Sequence, residues 1–134
     1  MVSQTAIYSR PNHGPGDKRY PSLLDALKVV KDRHELIGLC MDVGHTARLG
    51  ENPLEVLQEC SGRLRDFHMK DVTAARPNGK ACIVGRGVID IPAVLKALVE
   101  MKFPFHVALE YETDESAPMP GMKASFEYMR KVLA

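Results

Sequence analysis

The chain has 134 residues and a mass of 14.9 kDa, enough for one domain with a real core. At 45% hydrophobic and 26% charged residues it has ordinary globular composition, which excludes disorder, collagen and coiled coil as its main state. Eighteen basic against 17 acidic residues give +1 with no block of one sign, so neither nucleic acid nor an anionic membrane is an expected partner.

No apolar run approaches the ~20 residues of a membrane span. Met1 to Arg10 lacks the basic and then apolar stretch of a signal peptide, so a cytoplasmic location is expected. Cys40, Cys60 and Cys82 are odd in number and contain no C-x-x-C. That argues against a disulfide scaffold or a zinc knuckle, and reduced thiols without assigned chemistry are expected.

In chain order, the first apolar run is Thr5 to Tyr8, which enters a Gly/Pro loop at Asn12 to Asp17. Ser22 then reads as an N-cap, with Asp25 as a weak capping-box partner, before helically spaced Leu23, Leu24, Leu27 and Val30. A second strand is expected over Leu36 to Met41, ending at Asp42. Asn52 and Pro53 start the next helix, which Gly62 ends. The third strand spans Leu64 to Met69. The longest loop, Asp71 to Asp90, follows, with a short extra strand expected at Ala81 to Val84. Asp90, Ile91 and Pro92 open a helix carrying Val94, Leu95 and Leu98 on one face. The fourth strand covers Phe105 to Tyr111, and a helix from about Met122 to Leu133 closes the chain. Strands alternating with helices predict an α/β fold of four β-α units around a parallel sheet, in a single domain over residues 1–134.

Polar residues recur at the C-terminal end of each strand, where parallel α/β folds bind ligands. They are Asn12 and His13, then Asp42 and His45, then His68, Lys70 and Asp71, then Glu110 and Glu112. Imidazole together with carboxylate suits a divalent ion such as Zn, Mn, Fe or Co. Strand alternation puts His68 and Lys70 on one face and Met69 on the other, with Asp66 in phase with His68. Asp66 and His106 are therefore expected to pair below the site. Arg86, between Gly85 and Gly87 on a rim loop, is a candidate contact for an anionic substrate. Structural roles compete for each residue: Asp42 capping a turn at Gly44, His45 bonding backbone in a loop, His68 as a core histidine, Glu110 pairing with an arginine.

Met41-Asp42-Val43-Gly44-His45 resembles a D-x-G-H motif, and Phe67-His68-Met69-Lys70-Asp71 an H-x-K-D motif. With Gly85-Arg86-Gly87-Val88-Ile89-Asp90 and Val107-Ala108-Leu109-Glu110, the set resembles the xylose isomerase-like β/α barrels. These are the sugar phosphate isomerase/epimerase group, related to endonuclease IV and the ketose 3-epimerases. The resemblance implies a divalent metal (Mn, Zn, Co, Fe or Mg) at the C-terminal mouth of an eight-stranded (β/α)8 TIM-type barrel. Asp42, His68 and Glu110 match its metal-ligand positions, and His45 a position beside the metal. It also implies an isomerase or epimerase acting on a sugar or sugar phosphate, with Glu110 as the base that moves a proton next to a metal-polarised carbonyl.

Two features depart from the family. A full barrel takes ~250 residues, and these four units resemble strands five to eight. The first loop reads Ser9-Arg10-Pro11-Asn12-His13, without the Glu that the family often places there, so either His13 is the fourth ligand or the site has three protein ligands plus water. A half-barrel leaves two open edges and an uncovered apolar face, so two copies are expected to pair as a homodimer, unless the chain is a fragment or another chain supplies the N-terminal half. The alternatives are a non-catalytic truncated relative that binds metal or sugar and dimerises, and an endonuclease IV-like phosphodiesterase.

Overall fold

The computed structural model describes residues 8–134. Four parallel strands form one sheet in chain order: β1 (Tyr8–Pro11), β2 (Ile37–Asp42), β3 (Leu64–Met69) and the strand Val107–Leu109. The antiparallel pair β4 (Asp71–Val72) and β5 (Ala81–Cys82) is inserted after β3, which makes Val107–Leu109 strand β6. Of the first apolar run, Thr5 to Ile7 lie outside the described residues, and the strand found there continues three residues past Tyr8.

The helices are α1 (Leu23–Val30), α2 (Val43–Arg48), α3 (Pro53–Cys60), α4 (Ile91–Glu100) and α5 (Met119–Leu133). Their starts follow local chemistry. Ser22, Asn52 and Asp90 accept the N–H groups of Leu24, Leu54 and Ala93, which satisfies donors left over in each first turn. Asp25 does not complete a capping box; it pairs with Lys28 at 2.9 Å instead. The chain passes through a short 3-10 turn at Ser61–Arg63 before β3.

Helices α1, α3, α4 and α5 pack in a row on one side of the sheet. The core lies between them and the sheet, built on Leu39, Met41, Phe67 and Met69 from the strands and on Leu23, Leu57, Ile91 and Val94 from the helices. Alternation sends the intervening residues to the other face: Cys40 and Asp42 from β2, Asp66 and His68 from β3, and Ala108 from β6. Among the described residues that face carries no helix and is largely polar. The expected uncovered apolar surface is therefore absent there, because every second residue of β2 and β3 near the mouth is thiol, carboxylate or imidazole.

A bulge between Leu39 and Cys40 leaves Arg65 as the extra residue of β3. Gly38 sits against it, and a Cβ at this position would collide with the Arg65 side chain and the Arg63 carbonyl. None of the helices is long and apolar enough to cross a membrane among the described residues.

Candidate functional site

Strand β2 does not end in a loop. Its last residue, Asp42, is the N-cap of α2 and accepts the His45 N–H at 2.9 Å. His45 is thus placed on the first turn of a helix rather than in a loop. Asn12 ties β1 to this corner: its Oδ1 accepts the Asp42 N–H at 2.9 Å, and its Nδ2 donates to Thr46 Oγ1 at 3.2 Å. Thr46 in turn donates to the Asp42 carbonyl at 3.0 Å. The corner is buried and fully bonded, so Asp42 has one orientation.

Around it, the mouth of the sheet forms a cavity of about 180 Å³ lined by Asn12, His13, Asp42, His45, His68, Lys70, Glu110 and Glu112, with Pro11. Eight of the ten residues expected at the site meet here. Arg86 does not; it is exposed on the rim loop and lies outside the lining. His13 is exposed at the edge of the cavity. Glu112, expected with Glu110 after the fourth strand, also lines the cavity.

Lys70 is 2% exposed, and its ammonium lies 3.1 Å from Asp42 Oδ2 and 2.6 Å from Glu112 Oε2. Burial alone disfavours this charge, but the two carboxylates outweigh it and hold Lys70 above the ordinary lysine value. The same hydrogen bond holds Glu112 below the usual carboxylate range. Burial pushes His45 below the ordinary histidine value, against the pull of Asp42, whose Oδ2 is 3.8 Å from Nε2. His45 is therefore a neutral imidazole beside a buried ion pair at neutral pH.

His68 Nδ1 and Glu110 Oε1 are 3.4 Å apart. A tetrahedral ion with bonds of about 2.0–2.2 Å places neighbouring ligands about 3.4 Å apart, so this pair already has a ligand spacing. Asp42 belongs to the same cavity, although its free oxygen is turned to Lys70. The donor set, imidazole with carboxylates around a polar cavity, fits a divalent ion in kind.

A second group was not read from the sequence. Cys40, Asp66 and His68 bring one ligand atom each to within 4.8 Å of one another. The expected Asp66–His106 pair does not form: Asp66 makes no ion pair among the described residues and accepts the Phe67 N–H at 2.9 Å. The signal was in the register, since β2 and β3 run parallel with Cys40 opposite Asp66. Burial pushes the Cys40 thiol up to about 12, so without a bound cation it stays protonated.

Asp71 is not a cavity residue either. It is fully buried, and its carboxylate accepts N–H groups from Val72, Gly85 and Gly87 at 2.9 Å and from Ile89 at 3.3 Å. It is the anchor of the rim loop that carries Arg86.

The sequence pattern of the xylose isomerase-like TIM barrel matches residues 9–132. The chain belongs to that family. Among curated relatives, an inosose dehydratase of Clostridium beijerinckii is 28% identical over 123 residues, covering 81% of this chain and 39% of the relative. Of solved structures, an L-ribulose 3-epimerase superposes with a TM-score of 0.78 at 14% identity, over 95% of this chain and 47% of that one. An IOLI protein with a bound zinc atom superposes at 0.66 with 22% identity, over 81% of this chain and 42% of that one. The chain thus spans about two fifths of its curated relatives and about half of each barrel, and its four β-α units are a half-barrel of this family.

Proposed function

We propose that this half-barrel carries the metal-binding and proton-transfer residues of an isomerase or epimerase acting on a sugar or sugar phosphate. The observation behind it is the cavity at the strand ends, where Asp42, His68, Glu110, His45 and Lys70 converge. Asp42, His68 and Glu110, with His13 at the edge, are the residues that hold a divalent ion. The ion's contribution is to polarise a substrate carbonyl and favour the enolate formed when the adjacent carbon loses its proton.

The side chains divide the remaining work. Glu110 takes the carbon-bound proton, from a position next to His68 that leaves its second oxygen available. Lys70 is fixed between Asp42 and Glu112 and supplies a positive charge where oxygen charge develops. His45, held neutral, offers a hydrogen bond to a hydroxyl without adding charge. Asn12 and Thr46 fix the Asp42 backbone and keep this corner rigid.

The inosose dehydratase relatives favour a second reading, dehydration of a hydroxy ketone. Loss of water from such a compound also begins with removal of the proton beside the carbonyl, so the same Glu110 step serves both. The test is exchange of a carbon-bound proton with deuterated water, using ketoses, their phosphates and inosose with added manganese or cobalt. Wild-type exchange that is lost in Glu110→Gln supports the assignment. Unchanged exchange in that variant rejects it, and products separate epimer from alkene.

Completion of the barrel calls for four more β-α units, and we propose a second copy of this chain as their source. Grooves flank both sheet edges. One of about 370 Å³ includes Phe103, Val107, Phe126 and Lys102 beside β6, and one of about 440 Å³ includes Tyr8, Tyr20, Arg10 and Arg33 beside β1. Apposing them buries apolar surface but brings basic groups together, so the dimer should tighten as salt rises. Sedimentation at low and high salt tests this; a monomer at both rejects it.

A further inference from the structure

We propose that Cys40, Asp66 and His68 form a second cation site, selective for thiophilic divalent ions, and that filling it withdraws His68 from the mouth. The ligand atoms already lie within 4.8 Å of one another, because β2 and β3 are paired neighbours whose register sets Cys40 opposite Asp66. Their chemistry is mixed: thiol, carboxylate and imidazole, the combination that selects zinc or cadmium over manganese or magnesium. Asp66 is a half-buried carboxylate with no ion-pair partner among the described residues. Beside it lie a thiol and an imidazole, and among the described residues no ion pair brings it the positive charge that a cation supplies. Three protein ligands leave a fourth position for water.

The two sites share one ring. A neutral imidazole has a single unprotonated nitrogen, so His68 serves one ion at a time. Binding at the lower site forms a metal–sulfur bond, and the Cys40 proton leaves to solvent. The lower site then competes with the mouth: a soft ion there costs the mouth a ligand. The competition rests on the proposed metal set at the mouth, whereas the lower site itself does not.

The experiment is a titration of the protein with cadmium, following the ultraviolet thiolate-to-cadmium charge-transfer band. Free manganese is followed by electron paramagnetic resonance in the same samples. Wild type should show the band, Cys40→Ser should lack it, and Asp66→Asn should retain it with affinity about tenfold weaker or more. Asp42→Asn should leave the band unchanged. Cadmium should release bound manganese from wild type and not from Cys40→Ser. Circular dichroism confirms that each variant is folded, and Asp66→Asn carries the test if Cys40→Ser is not. No band in wild type, a band that survives Cys40→Ser, or unaltered affinity in Asp66→Asn overturns the lower site. A cadmium band without any manganese binding overturns the mouth reading and the competition, and leaves the lower site standing.

Discussion

Asp71→Ala removes the acceptor for four backbone N–H groups at once, and its cost can be worked from their surroundings. Three of the bonds are 2.9 Å and one is 3.3 Å, and all run to a fully buried carboxylate. Bonds to charged groups contribute about 1.5–3 kcal/mol each when buried. The donors of Gly85, Gly87 and Ile89 are partly buried on a surface loop and regain water when the carboxylate goes, so about 1 kcal/mol each is lost. Val72 is buried, and its N–H stays unpaired at about 2 kcal/mol. The sum is roughly 5 kcal/mol, at the top of the range for single substitutions. Asp71→Asn keeps one oxygen but turns an NH₂ toward two donors, and should cost about half as much. At about 2 kcal/mol per molar of urea, the alanine variant moves the unfolding midpoint by about 2.5 M. Hydrogen exchange reads the loop directly: Gly85, Gly87 and Ile89 should lose protection before the sheet does. A shift under about 1 kcal/mol, or unchanged protection at Gly85 and Gly87, would refute the anchoring role.

Other expectations follow from the same contacts. Gly87→Ala puts a Cβ into the Asp71 carboxylate and the Val72 carbonyl, so it should lower stability by about 2 kcal/mol, measured by urea unfolding. Lys70→Met leaves Asp42 buried without its cation and should cost about 3–5 kcal/mol. In a double-mutant cycle with Asp42→Asn, the coupling should be on the order of 2 kcal/mol, and an additive result removes the ion pair from the account. His45 is held below its unfolded value of about 6.5, so the unfolded chain takes up a proton there first. Stability should therefore fall as pH drops below about 6.5, by at most about 1.4 kcal/mol per pH unit, until native His45 protonates. His45→Gln should flatten that segment of the stability curve, and an equal slope in both proteins would assign it to other groups.

Periodicity and caps in the one-dimensional chain determined the four β-α units, the positions of Asn52 and Asp90 at helix starts, and the convergence of polar residues at the strand ends. Those are local or in-phase properties: an apolar alternation picks its face, and a cap needs only the next two or three N–H groups. The metal-type donors Asp42, His68 and Glu110 were legible for the same reason, each standing at a strand's last turn outward. What the chain alone did not decide was which partner each polar group takes. Asp42 turned out to cap α2 and to face Lys70, Asp71 to hold a loop fourteen to eighteen residues away, and Asp66 to lie beside Cys40 rather than His106. Those choices depend on the parallel register of β2 and β3, including the bulge at Leu39 and Cys40, which shifts every later pairing by one residue. Register is a property of two strands packed together, fixed by the shared core beneath them, and only the tertiary structure sets it.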